Sequence, residues 1–200
     1  MIRYWTPEPL FSGERVYVLG GGPSLNREDV GRLDPRRVIA VNTAAELAPD
    51  AALLFSRDSA WGLANVRLIT GWSGLAVTTK RDVAMKTGAH LVTMERRDDF
   101  PPPGASAIRY GISSGHAAVS LALSMGAREI VLLGFDGRMV TVDGKRRSHW
   151  HDHYAEHRLD VYASFNRGWK GWRDAAMKHK CSILNATICS AITEFPFVSI

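Results

Sequence analysis

The sequence predicts an α/β fold in which a mainly parallel sheet is doubly wound, with helices on both of its faces. Short β-branched and apolar segments alternate with helical segments along the chain, an order typical of parallel sheets. Residues 37–42 are almost entirely apolar, as expected of a strand that is buried on both faces. Glycines and polar residues directly follow several of these segments. They would lie at the sheet edge where Rossmann-like folds bind their ligands.

Length and composition indicate a single domain that spans residues 1–200. Hydrophobic residues make up 46% of the chain and charged residues 22%, a balance typical of globular proteins. The two cysteines, Cys181 and Cys189, show neither a disulfide framework nor the paired spacing of a zinc site. The sequence has no evident signal peptide or membrane-spanning segment, so we expect a cytoplasmic protein without a membrane partner.

The basic charge of the chain favours anionic partners. The formal net charge is +5 and the isoelectric point lies near 9.5, which suits nucleotides, phosphorylated sugars and nucleic acid. Apart from Lys145-Arg146-Arg147 the cations are scattered, which is more typical of a solvated surface. Nucleic acid is therefore a candidate acceptor or partner, and the sequence is compatible with a homo-oligomer.

Eight short segments have the β-branched, aromatic or apolar pattern of strands. They are residues 15–20, 37–42, 51–56, 66–70, 75–79, 90–94, 128–134 and 181–184. Asn26 is a good N-cap residue with acids after it, which predicts a short helix that reaches Leu33. The stretch Pro101-Pro-Pro-Gly104 predicts a loop.

The clearest strand–helix unit begins at Ser113-Ser114-Gly115. These residues open an apolar helix over residues 116–125, and Gly126 is placed to end it. Two further segments follow the strand at 128–134. Residues 137–149 are polar and basic, with a tight turn at Asp143-Gly144, and predict a mobile flap. Residues 153–180 predict mostly helix, with Trp169 and Trp172 in the core.

Two turns on the predicted sheet edge are candidates for phosphate binding. In Gly20-Gly-Gly-Pro-Ser-Leu25 the glycines allow a close backbone approach, and the following helix start attracts anions. The turn is not the dinucleotide fingerprint, because Leu25 stands where the third glycine belongs, and it lacks the lysine of a P-loop. Ser113-Ser114-Gly115 is a second such helix start. Alternatively, the first is a plain tight turn and the second a plain N-cap.

The segment Ser148-His-Trp-His-Asp-His153 has the most unusual composition. In an extended conformation His149, His151 and His153 would share one face. Histidine is a natural general base near neutral pH, and Asp152 could orient a neighbouring ring. We predict catalysis here, with His149 and Asp152 as participants. A transition-metal site and a polar surface turn are the alternatives.

Two aspartates and one tryptophan complete the candidates. Asp58 and Asp136 end their strands, where they could contact ribose hydroxyls, hold magnesium or cap a helix. Trp150 is placed to stack on a base or sugar, and we predict it as a ligand contact in preference to Trp169 and Trp172.

The order of these motifs resembles two related groups of proteins. One is the bacterial sialyltransferases that use CMP-sialic acid. The other is the set, many of them phage-encoded, similar to archaeal 6-hydroxymethylpterin diphosphokinase, so a phage or prophage origin is implied. The shared motifs are Gly22-Pro-Ser-Leu25, Ala40-Val-Asn42, Ser114-Gly115, Gly126-Ala-Arg-Glu-Ile130 and Gly134-Phe-Asp136. They span most of the chain, although each is short.

The sialyltransferase resemblance implies specific roles. It places the first turn, Asn42 and the Ser-Gly segment around the nucleotide, and it makes His153 the general base. Two departures leave the sugar unassigned. This chain has Gly21 where those enzymes have asparagine, and Gly137-Arg138 where they have a tyrosine. The complete set of predicted ligand contacts is Gly21, Gly22, Ser24, Asn42, Asp58, Ser113, Ser114, Gly115, Asp136 and Trp150.

From the residues and the resemblance together we expect a glycosyltransferase-like enzyme. It would use a CMP- or UDP-type sugar donor and a hydroxyl acceptor, with no metal in its site. The acceptor could be a modified base in DNA. One alternative is transfer from ATP to a small hydroxymethyl compound, with Asp58 or Asp136 holding magnesium. The other is a non-catalytic nucleotide-binding phage protein.

Overall fold

The chain alternates strands and helices along most of its length. The computed structural model describes residues 4–153, 155 and 159–200. Its strands are β1 Arg15–Leu19, β2 Val38–Val41, β3 Leu53–Ser56, β4 Leu75–Thr78, β5 His90–Leu91, β6 Thr93–Glu95, β7 Ala107–Arg109, β8 Glu129–Leu133, β9 Val140–Val142, β10 Lys145–Arg147 and β11 Ser182–Asn185. Its α-helices are α1 Arg27–Gly31, α2 Ser59–Ala64, α3 Val66–Thr70, α4 Arg81–Thr87, α5 Ser114–Ser124, α6 Leu159–Arg167 and α7 Trp172–Lys178.

Seven of the described strands form one parallel sheet. Their spatial order is β11–β8–β1–β2–β3–β4–β5, and every neighbouring pair runs parallel. From β1 the chain builds the sheet outwards to β5 and then returns to the other side of β1 with β8. The strand order therefore reverses between β1 and β8, and doubly wound folds bind ligands at the carboxyl ends of the strands at such a switch point.

Both faces of the sheet are buried under helices. In β8, Ile130 and Leu132 belong to a hydrophobic cluster that also contains α5 residues and Trp169. Val131 and Leu133 belong to a second cluster, which contains buried residues of α1 to α4. Side chains alternate between the faces because the strand repeat is two residues. The predicted doubly wound α/β fold is confirmed.

Several predicted boundaries agree with the observed elements. Asn26 caps α1, accepting a hydrogen bond from the backbone N–H of Asp29 at 2.9 Å. Ser113 is the N-cap of α5, and Gly126 follows the end of that helix with a φ of 91°. The predicted strand at residues 90–94 is instead two short strands in different sheets, β5 and β6.

The strand predicted at residues 66–70 is wrong, because this segment is helix α3. Its β-branched residues suggest a strand, but only Ile69 is fully buried. The backbone N–H of Ile69 donates to the carbonyl of Asn65 at 3.0 Å, and that of Asn65 to Trp61 at 3.0 Å. With one buried side chain, the segment gains nothing from strand alternation, and tertiary packing overrides the local propensity.

The region between β8 and α6 contains a hairpin. Strands β9 and β10 pair antiparallel, and Asp143 and Gly144 at their turn have φ values of 49° and 74°. Positive φ at both central residues matches the twist of hairpin strands, so the predicted tight turn is confirmed. Residues 154 and 156–158, part of the predicted helix over 153–180, lie outside the described residues. No helix in the described part of the chain has the length and apolar character needed to cross a membrane.

Candidate functional site

A cavity of about 640 Å³ lies at the carboxyl ends of the sheet strands. Its walls come from the segments that follow β1, β2, β3, β4 and β8, from the start of α5, from the base of the β9–β10 hairpin and from α6. The volume falls within the range of about 300–1,000 Å³ that is usual for small-molecule sites. The cavity therefore occupies the position that the doubly wound fold favours for a ligand.

The glycine-rich turn after β1 packs directly on the end of β8. The backbone N–H of Gly22 donates to the carbonyl of Gly134 at 2.9 Å. A Cβ atom on Gly22 would lie 2.0 Å from Asp136 Oδ2 and 2.6 Å from the Gly134 oxygen. Gly22 is therefore required for contact between two strand ends. Gly21 lines the cavity, and a Cβ there would meet nothing nearer than His149 Nδ1 at 3.9 Å.

Asp136 joins the two loops and lies on the cavity wall. Its side chain is buried, and Oδ2 accepts hydrogen bonds from Ser24 Oγ at 2.9 Å and from Ser24 N at 3.4 Å. Burial raises the pKa of Asp136, against the effect of the Ser24 hydrogen bonds. The predicted residue Ser24 thus holds Asp136 in place and lies behind the wall.

Asn42 presents an amide to the cavity from a left-handed backbone conformation. It follows β2 with a φ of 52°, a region that asparagine tolerates better than most residues. Its Nδ2 donates to Ser114 Oγ at 3.5 Å. Its Oδ1 is buried and has no hydrogen-bond partner among the described residues. A buried acceptor of this kind is suited to an N–H group of a ligand.

The first turn of α5 forms another wall, with Ser113, Ser114 and Gly115 lining the cavity. A Cβ on Gly115 would lie 2.6 Å from the Phe135 ring, so this glycine lets the helix start close against the end of β8. The turn brings the positive end of the α5 dipole to the cavity. It also contains His116.

Two cations that sequence reasoning passed over, Arg57 and Lys80, also line the cavity. Arg57 directly follows β3, and Lys80 lies two residues after the end of β4. Both could have been predicted by extending the search for polar residues after strands to cations. Arg138 also lies on the wall. The predicted residue Asp58 lines the cavity while capping α2, since its Oδ1 accepts from Trp61 N at 3.1 Å.

The three predicted histidines stack in series. Ring centroids are 5.1 Å apart for His149 and His151 and 4.8 Å apart for His151 and His153, as an extended segment predicts. His149 and His151 line the cavity. His153 is exposed outside the wall, and its Nε2 lies 3.2 Å from Glu46 Oε2.

Hydrogen bonds distinguish the histidines further. The backbone N–H of His153 donates to His151 Nδ1 at 3.2 Å, so a neutral His151 ring carries its proton on Nε2. Asp152 is exposed and forms an ion pair with Arg147 on the β9–β10 hairpin.

The aromatic residues are distributed differently from the prediction. Trp150 packs against the cluster under α1 to α4, and its backbone N–H donates to the Gly21 carbonyl at 3.2 Å. Trp169, predicted as core, is buried and also lines the cavity. Its indole stacks on His116, with ring centroids 3.6 Å apart. Which tryptophan meets the cavity depends on tertiary packing and has no local signal.

His116 was not singled out by the sequence. It is fully buried, and its Nδ1 lies 2.8 Å from Ser113 Oγ. Burial, assisted by the charges of Arg57 and Arg109, lowers its pKa to about 3. His116 is therefore neutral in the folded protein and supports two wall residues, Ser113 and Trp169.

The fold and the cavity together define a doubly wound α/β protein with a cavity at its switch point, whose wall includes the cations Arg57, Lys80 and Arg138. Comparisons with protein-family models, with curated proteins and with solved structures found no match. Among the described residues, no group of three or more His, Cys, Asp or Glu side chains is arranged to hold a metal ion.

Proposed function

We propose that the protein is a glycosyltransferase-like enzyme. It would bind a CMP- or UDP-type sugar donor in the strand-end cavity and transfer the sugar to a hydroxyl group. The observation that carries this proposal is the buried Oδ1 of Asn42, an unpartnered acceptor among the described residues, beside the first turn of α5. The Asn42 oxygen can accept a hydrogen bond from a nucleotide base, and the first turn of α5 can bind phosphate.

The charges around the cavity also favour a donor whose phosphates lie at the first turn of α5. Phosphates near Ser113–Gly115 would lie at the positive end of α5, in a cavity that also contains Arg57, Lys80 and Arg138. Preorganised cations and N–H dipoles stabilise negative charge that develops on a leaving phosphate. The nucleotide is therefore a suitable leaving group in this cavity.

The transfer step can be assigned to the histidines on the wall. The acceptor oxygen attacks the anomeric carbon, the bond between that carbon and the phosphate oxygen breaks, and the nucleotide leaves with the electron pair. His149 takes the acceptor proton. His151, with its proton on Nε2, donates a hydrogen bond to the departing phosphate. The resemblance instead assigns the base to His153, which pairs with Glu46 outside the wall.

Replacing Asn42 by glycine is expected to weaken nucleotide binding about tenfold, because one hydrogen bond to the base is lost. Glycine adopts a φ of 52° without strain, so the urea midpoint should change little. Titration calorimetry with CMP, UDP and ATP, each with and without magnesium, measures the effect. Equal affinities for wild type and variant would contradict the role of Asn42. Binding of ATP that strictly requires magnesium would instead support phosphotransfer at Asp58 or Asp136.

His149→Gln is expected to lower kcat for donor consumption about 100-fold, the lower end of general-base effects. The assay uses the sugar donor of whichever nucleotide binds. His153→Gln is the matched control, since His153 is exposed and outside the wall, and it should retain activity within about twofold. Loss of activity in His153→Gln but not in His149→Gln would instead make His153 the general base, as the resemblance implies.

A further inference from the structure

A second cavity, of about 400 Å³, is distinctly basic. We call it the basic pocket. It is lined by four cationic side chains and one carboxylate, which are Arg96, Arg97, Arg109, Lys170 and Asp98. Among the described residues Arg96, Arg109 and Lys170 form no ion pair. Such an excess of one charge in a concave surface favours an anionic ligand.

Arg109 gives the basic pocket a built component. Its side chain is only 9% exposed, and Nη1 is buried with no hydrogen-bond partner in the described part of the chain. The guanidinium lies 5.1 Å from the Phe100 centroid and 4.8 Å from that of Trp172. These rings contact the faces of the guanidinium, so the in-plane N–H donors of Nη1 are left without a partner among the described residues. Burial lowers the pKa of Arg109, a cost that a bound anion would offset.

The basic pocket adjoins the main cavity. Ile112 lines both. Arg57, on the main cavity wall, donates to the hydroxyl of Tyr110 at 3.1 Å, and Tyr110 lines the basic pocket. Arg96 lies over the same tyrosine ring, 5.1 Å from its centroid. A ligand anchored in the basic pocket could therefore extend toward the site of sugar transfer.

We propose that the basic pocket binds a phosphate ester group of the acceptor substrate. A phosphate oxygen accepts several N–H bonds, and guanidinium groups match it in geometry and charge. The identification of the ligand as the acceptor rests on the proposed function, whereas binding of phosphate does not. The phosphate could belong to a small phosphomonoester or to a nucleic acid backbone.

The test is titration calorimetry with two probes, glycerol 3-phosphate and the oligonucleotide dT4. At least one should bind the wild-type protein. Arg96→Gln combined with Lys170→Gln should weaken it about 30-fold through loss of two cations. Both side chains are exposed, so folding should be retained. Arg67→Gln combined with Lys86→Gln removes the same charge from exposed positions on α3 and α4 and is the matched control.

The two probes distinguish the sources, since preference for glycerol 3-phosphate indicates a small acceptor and preference for dT4 a nucleic acid. Arg109→Met, which keeps apolar contact with the rings, should also weaken binding. Failure of both probes to bind, or equal weakening in the control pair, would overturn the proposal. Binding of either probe, together with no binding of CMP, UDP or ATP, would instead reject the proposed function and leave the basic pocket as a phosphate site.

Discussion

Lowering the pH from about 7 to about 4.5 is expected to remove about 2.7 kcal/mol of folding stability through His116 alone. The ordinary pKa of 6.5 applies in the unfolded chain, whereas burial lowers the folded value to about 3. Between these values the unfolded chain holds one more proton. The contribution of His116 to the free energy of unfolding is therefore fully present above pH 6.5. It falls by about 1.4 kcal/mol per pH unit from there down to the folded pKa.

The environment of His116 explains why the folded protein rejects this proton. The ring is fully buried and stacks on Trp169, and the positive charges of Arg57 and Arg109 oppose protonation. Because Ser113 and Trp169 both line the main cavity, charging this ring would also disturb the wall. Acid should consequently weaken ligand binding before it unfolds the chain.

Urea denaturation of wild type and His116→Phe over a pH series measures this effect. Phenylalanine can retain the stack on Trp169 but cannot titrate, so other titrating groups cancel in the difference between the two proteins. The variant should lack about 1.4 kcal/mol per pH unit of slope below pH 6.5. A difference between wild type and His116→Phe that does not change with pH would contradict the prediction.

The parallel sheet could be predicted from the sequence because its central strands are buried on both faces. Such strands appear as short, nearly continuous apolar runs, and β2 and β8 are the clearest. Helix α3 could not be separated from a strand, since its five residues show no decisive period and its neighbours determine its packing. The caps Asn26 and Ser113 were predictable because capping is a local hydrogen bond.

The site was predictable where it depends on strand ends. Gly21, Asn42 and Asp136 all follow strands, and the shared edge of a parallel sheet brings them together. Asn166 lines the same cavity from α6, but it comes from a distant part of the chain and carries no local signal. Which of the three stacked histidines would line the cavity was equally out of reach. It depends on how the segment after the hairpin packs against Gly21, whose carbonyl accepts a hydrogen bond from the backbone N–H of Trp150.

Gly22→Ala is expected to destabilise the fold by about 3 kcal/mol, the upper end of overpacking effects. The new Cβ would lie 2.0 Å from Asp136 Oδ2 and 2.6 Å from the Gly134 oxygen. Neither neighbour can easily move. The carboxylate is buried and held by Ser24, and the Gly134 oxygen accepts a hydrogen bond from Gly22 itself.

Gly21→Ala separates the two functions that a glycine-rich turn can have. Its Cβ would meet only His149 Nδ1, at 3.9 Å. The free energy of unfolding should therefore change by no more than about 0.5 kcal/mol. Because this methyl group would lie on the cavity wall, it should obstruct the approach of the nucleotide. Denaturation and nucleotide titration of both variants test the pair. Equal midpoints for Gly22→Ala and Gly21→Ala would show that the strand-end contact tolerates a methyl group. Unchanged nucleotide affinity in Gly21→Ala would show that the bound nucleotide does not approach the glycine-rich turn.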